Sequence, residues 1–230
     1  MSKPGNSLAQ SRRDALVAAV EKRGKKTANI WMLYDPVKHD DVVIVSDPRM
    51  EHFYACQGDP DILSSDFEPE SVQFVVAGET RNVRFDATVL FRDGHRECRH
   101  VRTSNNDRAD IEKRTLAAAA AESVGASYVI VTLEDLNSQQ QRIANWTRAL
   151  GVLHRCRRRP LEVLELALNA CLASREKLSL GSILDQFANS PAAIVLAAVV
   201  SLLCKRALQS DLDTKPWSRH TLVWKVEALS

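Results

Sequence analysis

From Val83 to Phe91 the chain alternates: Val83, Phe85, Ala87, Val89 and Phe91 share one parity, and Arg84, Asp86, Thr88 and Leu90 the other. Successive side chains of a strand point to opposite faces, so this pattern predicts a strand with one face in a core and Asp86 on the other. Asp93-Gly94 follows, and glycine accepts the positive φ that lets the chain reverse within a few residues. The second arm returns through His95, Arg96, Glu97, Cys98, Arg99, His100, Val101 and Arg102. Loop length decides which of these join Asp86. A three-residue loop, Arg92-Asp93-Gly94, opposes Phe91 to His95 and Asp86 to His100, whereas a two-residue Asp-Gly loop puts Asp86 with Glu97, Arg99 and Val101. Both are physically allowed.

Upstream, residues 1–8 read as a tail and 9–22 as a helix, followed by the basic run Lys22-Arg23-Gly24-Lys25-Lys26. Val42-Val43-Ile44-Val45 predicts a short strand, and Pro48 fits the first turn of a helix carrying Glu51. Residues 68–76 read as a further strand. Beyond the hairpin, helix formers fill 107–124 and Gly125 supplies a stop. Tyr128-Val129-Ile130-Val131-Thr132 is a buried strand, followed by a helix over 136–150. This order predicts an α/β (α+β) fold, a mixed sheet flanked by helices.

Residues from 160 onward resemble a winged helix: helices at 161–174, 179–186 and 190–208, then a β-wing over 217–226. Ser190-Pro191 is a good helix start, with serine at the cap and proline at the first helical position. The last helix is rich in alanine, valine and leucine, so its middle packs inward. Only Lys205, Arg206, Gln209 and Ser210 near its end, or Lys215, Arg219, His220 and Lys225 near the wing, offer DNA the polar face of a recognition helix. The chain divides into 1–40, an N-terminal tail and helix; 41–153, the domain holding the hairpin; 154–160, a basic linker; and 161–230, the winged-helix-like domain.

With 230 residues, 45% of them hydrophobic, the chain can bury a sizeable core. A net charge of +2 is too small to indicate nucleic-acid binding by itself, so phosphate contacts must come from local clusters. Two stand out: Arg84, Arg92, Arg96 and Arg99 on the hairpin, and Arg155, Arg157, Arg158 and Arg159 in the linker. Five cysteines without a CxxC pair suggest reduced thiols and a cytoplasmic protein. The first ten residues are polar, and the apolar run 192–204 falls short of the roughly 20 residues that cross a bilayer, so neither a secretory signal nor a membrane span is expected.

The hairpin and its flanks resemble the TnsA-like endonuclease subunits of heteromeric transposases, members of the PD-(D/E)xK nuclease superfamily, over roughly residues 45–225. Glu51, in Ser46-Asp47-Pro48-Arg49-Met50-Glu51, matches the family's early glutamate, Asp86 its motif aspartate, and His100-Val101-Arg102 its final Glu-x-Lys or Gln-x-Lys pair. Phe85 stands where the family has proline, His100 where it has Glu or Gln, and Arg102 where it has lysine. The resemblance implies a restriction-endonuclease-like domain followed by a winged helix, and a subunit that cuts transposon 5′ ends. Double-stranded DNA, a DDE-type transposase and an AAA+ ATPase regulator would be its partners. If the site is active, Glu51 and Asp86 hold Mg²⁺ or Mn²⁺, His100 completes the site and Arg102 stabilises charge.

The substitutions bear on that chemistry. Hard Mg²⁺ prefers oxygen ligands to imidazole, and arginine cannot act as a general base. Three readings therefore stand at this point: a metal-dependent DNA endonuclease, a catalytically inactive nuclease fold kept for DNA binding or assembly, and a winged-helix transcription regulator.

Overall fold

The computed structural model describes residues 14, 16–18, 20–21, 28–102, 111–173 and 175–226. The expected tail at 1–8 and the basic run at 22–26 lie outside the described residues; of the helix expected over 9–22, the described positions are helical.

The chain then enters an antiparallel hairpin, β1 (Ile30–Asp35) with β2 (Asp40–Val45). β1 corrects the expectation that residues 1–40 hold only a tail and a helix. Its run Ile30-Trp31-Met32-Leu33-Tyr34 carries no period-two signal. It becomes a strand by pairing with β2, which lets Leu33 join Val42 and Ile44 in the core. Helix α1 (Asp47–Gly58) follows, with Pro48 in its first turn, where a missing N–H is harmless.

Five strands come next: β3 (Ile62–Asp66), β4 (Val72–Val76), β5 (Glu79–Val83), β6 (Ala87–Phe91) and β7 (Arg96–Val101). The strand expected over 68–76 is the shorter β4, and polar β5 pairs with it through Ala77 and Gly78, both at positive φ, as a two-residue hairpin turn requires. β6 pairs with β7 in the register Ala87↔Arg99 and Leu90↔Arg96, and Phe91 N–H donates to His95 O. The loop is thus the three-residue one, with Gly94 at φ 86; the ladder ends at the pair Ala87↔Arg99, and Asp86, just before it, donates its N–H to Arg99 O.

After α2 (Ile111–Ser123), β8 (Ser127–Val131) runs parallel to β7, completing a sheet of order β3-β6-β7-β8 whose other pairings are antiparallel. Phe53 of α1 packs with Ala87 and Val89 on one face, while Ala117, Ala120 and Ala121 of α2 pack with Phe85 and Cys98 on the other. Phe85 and Ala87 therefore belong to different clusters, contrary to the period-two expectation. Residues 84–86 precede the strand, and the chain crosses from one side of the sheet to the other at Asp86.

The single helix expected over 136–150 is two, α3 (Leu133–Ser138), closed by a Thr132–Asp135 capping box, and α4 (Gln140–Cys156). α4 runs through His154, Arg155 and Cys156, so three of the seven residues of the expected linker are helix. Just past it, Arg157 pairs with Asp41 at 2.8 Å and lies over the Tyr34 ring.

The remaining elements are α5 (Glu162–Ala173), β9 (Leu178–Ser179), α6 (Leu180–Gln186), α7 (Ala192–Cys204), β10 (Leu208–Ser210) and β11 (Leu222–Lys225), with the strands in the order β10-β11-β9. α7 buries most of its surface, as its composition predicts. One apolar cluster runs from Phe53 through Trp146 and Leu150 to Val199 and Val223, so the two halves share a core. Among the described residues no helix is long and apolar enough to cross a membrane.

Candidate functional site around Asp86

Asp86 sits where the chain crosses the sheet, and both of its carboxylate oxygens are committed. Oδ2 accepts from the Val101 N–H at 2.8 Å, and Oδ1 receives the Arg49 guanidinium, Nη2 at 2.8 Å. Its own N–H donates to Arg99 O. Arg49 comes from the first turns of α1, where Pro48 and the Ser46 backbone, at φ 96, set the helix start against the sheet. Both partners are half-buried, with side-chain exposures of 32% and 16%, so this ion pair is screened less than a surface one.

His100, the residue after Arg99 on β7, spends its ring away from the Asp86 carboxylate. Nε2 lies 2.9 Å from Arg84 O, and Nδ1 lies 3.0 Å from the Tyr128 hydroxyl. A carbonyl only accepts, so Nε2 carries the proton and, in the neutral ring, Nδ1 accepts from Tyr128. The imidazole ties the segment before Asp86 to β8, and its ring packs on Phe85. Burial raises the Tyr128 pKa; the charges around this hydroxyl are Arg114, Asp86 and Arg102. Arg102 donates its backbone N–H to Val131 O, and its Nε is buried with no hydrogen-bond partner among the described residues.

Glu51 is not brought to Asp86. Residues two apart on an α-helix lie about 200° around its axis, so Arg49 and Glu51 cannot both face the same carboxylate. Glu51 is half-buried and makes no ion pair among the described residues. The acid that shares a cavity with Asp86 is Glu68, in a cavity of about 400 Å³ also lined by Arg49, His52, Arg84 and Phe85.

Glu97 and Arg99, the other register's pair, lie on the side of β7 that faces α1. Arg99 is 2.6 Å from Glu97 and donates to His52 Nε2 at 3.2 Å, and Cys56 Sγ stands 3.3 Å from the same nitrogen. Burial, reinforced by the Arg99 charge, lowers the His52 pKa to about 3, and burial pushes the Cys56 thiol up to about 12. His52 is therefore neutral and Cys56 a protonated, inert thiol at neutral pH. His52 is not among the sequence-predicted site residues. Its position one residue before Phe53, on the inward face of α1, is the signal for its burial.

The arginines expected to meet DNA divide in two. Arg99 and Arg157 are held in internal ion pairs. Arg84, Arg92, Arg96, Arg155, Arg158 and Arg159 are exposed.

This donor set does not fit a divalent cation. Asp86 is neutralised by Arg49, Glu51 lies off the cavity, and both His100 nitrogens are engaged. Among the described residues no group of three His, Cys, Asp or Glu side chains is placed to hold a metal ion. Sequence reading missed Arg49 and Glu68 as members of the site. Arg49 sits within the quoted Ser46 to Glu51 segment, but its pairing with Asp86 depends on how α1 docks on the sheet. In comparison with known proteins, no family model matches the chain and no curated protein matches it.

Proposed function

We propose that this chain is a TnsA-like subunit of a DNA transposition machine in which the restriction-endonuclease-like fold has been kept for DNA binding and assembly rather than cutting. The observation that carries this reading is the Arg49–Asp86 ion pair, which puts a guanidinium where an active nuclease needs a cation. Two further features support it. The order of α1, β3, β6, β7, α2 and β8, with β8 parallel to β7, is that expected of a restriction-endonuclease-like core. The helix-strand-helix-helix-strand-strand order of residues 162–225, with β11 central, is that expected of a winged helix.

In this reading α7 does not insert into a groove, because its face is packed in the core, and phosphates are met by exposed arginines such as Arg84, Arg96, Arg155 and Arg158. A DDE-type transposase and an AAA+ ATPase regulator would be the partners. The test is duplex binding by fluorescence anisotropy across a salt series, run beside a plasmid-nicking assay with Mg²⁺ or Mn²⁺. Salt-sensitive binding without nicking is expected, with Arg158→Gln lowering the slope of log affinity against log salt by about 1. Metal-dependent nicking that Asp86→Ala abolishes would overturn the non-catalytic assignment, and absence of binding at low salt would overturn the DNA assignment.

A further inference from the structure

The seam between the two halves holds a second cavity, of about 610 Å³, which shares no lining residue with the cavity that Asp86 lines. Cations surround it, and they differ in how they are compensated. Arg157 is paired with Asp41 at 2.8 Å, and Lys205 with Glu165 at 2.6 Å. Arg92, Arg159 and Arg206 have no carboxylate within ion-pair distance among the described residues. The Arg92 Nε donates to Pro60 O at 2.8 Å, and Arg206 donates from all three nitrogens, to Ile62 O at 3.1 Å, Gln57 O at 3.0 Å and Cys56 O at 3.5 Å, which leaves one hydrogen on each Nη for a ligand. Neutral carbonyls satisfy hydrogens without cancelling charge. Three arginines without a carboxylate partner thus line the cavity against one lining carboxylate without a cation partner among the described residues, Glu162.

Two further observations sharpen this. Arg206 is a non-glycine residue at φ 58, a left-handed conformation that L side chains avoid, and the backbone holds it there with its guanidinium in the seam. Burial lowers its pKa, and the neighbouring Arg92 charge lowers it further, so like charges are packed together rather than apart. Apart from His39 and Ser201, the rest of the wall is apolar or aromatic, including Leu63, Leu153, Leu161 and Tyr34. The space is far larger than an inorganic anion needs and falls in the range of pockets that take organic ligands.

We infer that this cavity is a binding site for a phosphate ester, its phosphate held by Arg92, Arg159 and Arg206 and its organic part against the apolar wall. Guanidinium forks match phosphate oxygens in pairs, and surplus positive charge favours a dianion. The ester can be a free mononucleotide or a nucleotide unit of a nucleic acid, and the site does not depend on the reading of Asp86.

Calorimetric titration of the full chain with adenosine monophosphate, adenosine and a short DNA duplex tests it, comparing Arg159→Gln with Arg148→Gln. Both residues are exposed, and only Arg159 lines the cavity. Monophosphate binding that Arg159→Gln weakens by about tenfold or more and Arg148→Gln leaves unchanged supports the site with a free ligand as its source. Duplex binding that excess monophosphate displaces and Arg159→Gln weakens supports it with nucleic acid as the source. Adenosine binding as tightly as its monophosphate, binding indifferent to Arg159→Gln, or no binding of monophosphate or duplex overturns it. Matching unfolding temperatures of the two variants show that the loss is local.

Discussion

Arg49 Nη2 rests 2.8 Å from Asp86 Oδ1, and the pair joins the first turns of α1 to the point where the chain crosses the central sheet. The guanidinium does for the carboxylate what a bound cation would do: it supplies positive charge and a directed contact. In the proposed reading a metal ion and Arg49 would compete for one oxygen. Removing Arg49 leaves a half-buried carboxylate with the Val101 N–H as its remaining partner, and Arg49→Ala should lose about 1–2 kcal/mol of stability.

The same variant should respond to Mn²⁺. A ligand that binds only the folded state stabilises it by mass action, about 2.7 kcal/mol at a hundredfold excess over Kd. Thermal unfolding with and without Mn²⁺ should show stabilisation of Arg49→Ala, none of the unaltered protein, and none of Arg49→Ala combined with Asp86→Ala. Equal responses from all three proteins would sink the idea that Arg49 stands in a cation's place.

The hairpin itself was legible from Ala87 on because two local signals agree: period-two alternation fixes the strand and Asp93-Gly94 fixes the turn, while the alternation breaks at Asp86. The choice between the two registers, which set Asp86 with His100 or with Glu97, Arg99 and Val101, was not legible. It depends on whether the loop has two residues or three, and the structure decides it through the Phe91 to His95 hydrogen bond. Strand β1 escaped notice because its apolar run has no period, and β5 because its residues are polar and owe their strand to a turn at Ala77-Gly78. The arginine run after His154 read as a free linker from composition. Helix α4 extends into it because Leu153 and Cys156 are buried in the shared core, which local charge cannot reveal. Arg49 as the counterion of Asp86 is a tertiary fact, set by the docking of α1.

Gly58 ends α1 hard against Trp146 of α4. A Cβ built there would lie 2.5 Å from Trp146 Cδ1 and Nε1 and 2.7 Å from Arg142 Cγ, closer than real contacts allow. Alanine in place of glycine ordinarily stabilises a helix by about 0.4–1 kcal/mol through the unfolded chain. Here the indole must move within the core, and overpacking costs about 1–3 kcal/mol, so the clash decides the sign. Gly58→Ala should unfold at lower urea concentration. An unchanged or higher midpoint would mean that α1 and α4 are not packed as described.

His52 gives the fold a pH dependence whose direction follows from its surroundings. Burial first, and the Arg99 charge second, bring its pKa down from 6.5 to about 3 in the folded protein. The unfolded chain therefore binds the proton more readily between those values. The contribution of neutral His52 is fully present above about pH 6.5 and is lost as pH falls toward 3, with a limiting slope of about 1.4 kcal/mol per pH unit. Protonation would also set an imidazolium against Arg99, which now donates to His52 Nε2 at 3.2 Å. Glutamine keeps an acceptor for Arg99 but does not titrate. Urea unfolding at several pH values below 6.5 should show the unaltered protein losing stability faster than His52→Gln, by up to that slope. Carboxylates such as Asp66 and Asp135, whose pKa values are lowered, also lose stability in acid, but they do so in both proteins and cancel in the difference. Parallel pH profiles would show that His52 takes up its proton equally in both states, which its burial beside Arg99 forbids.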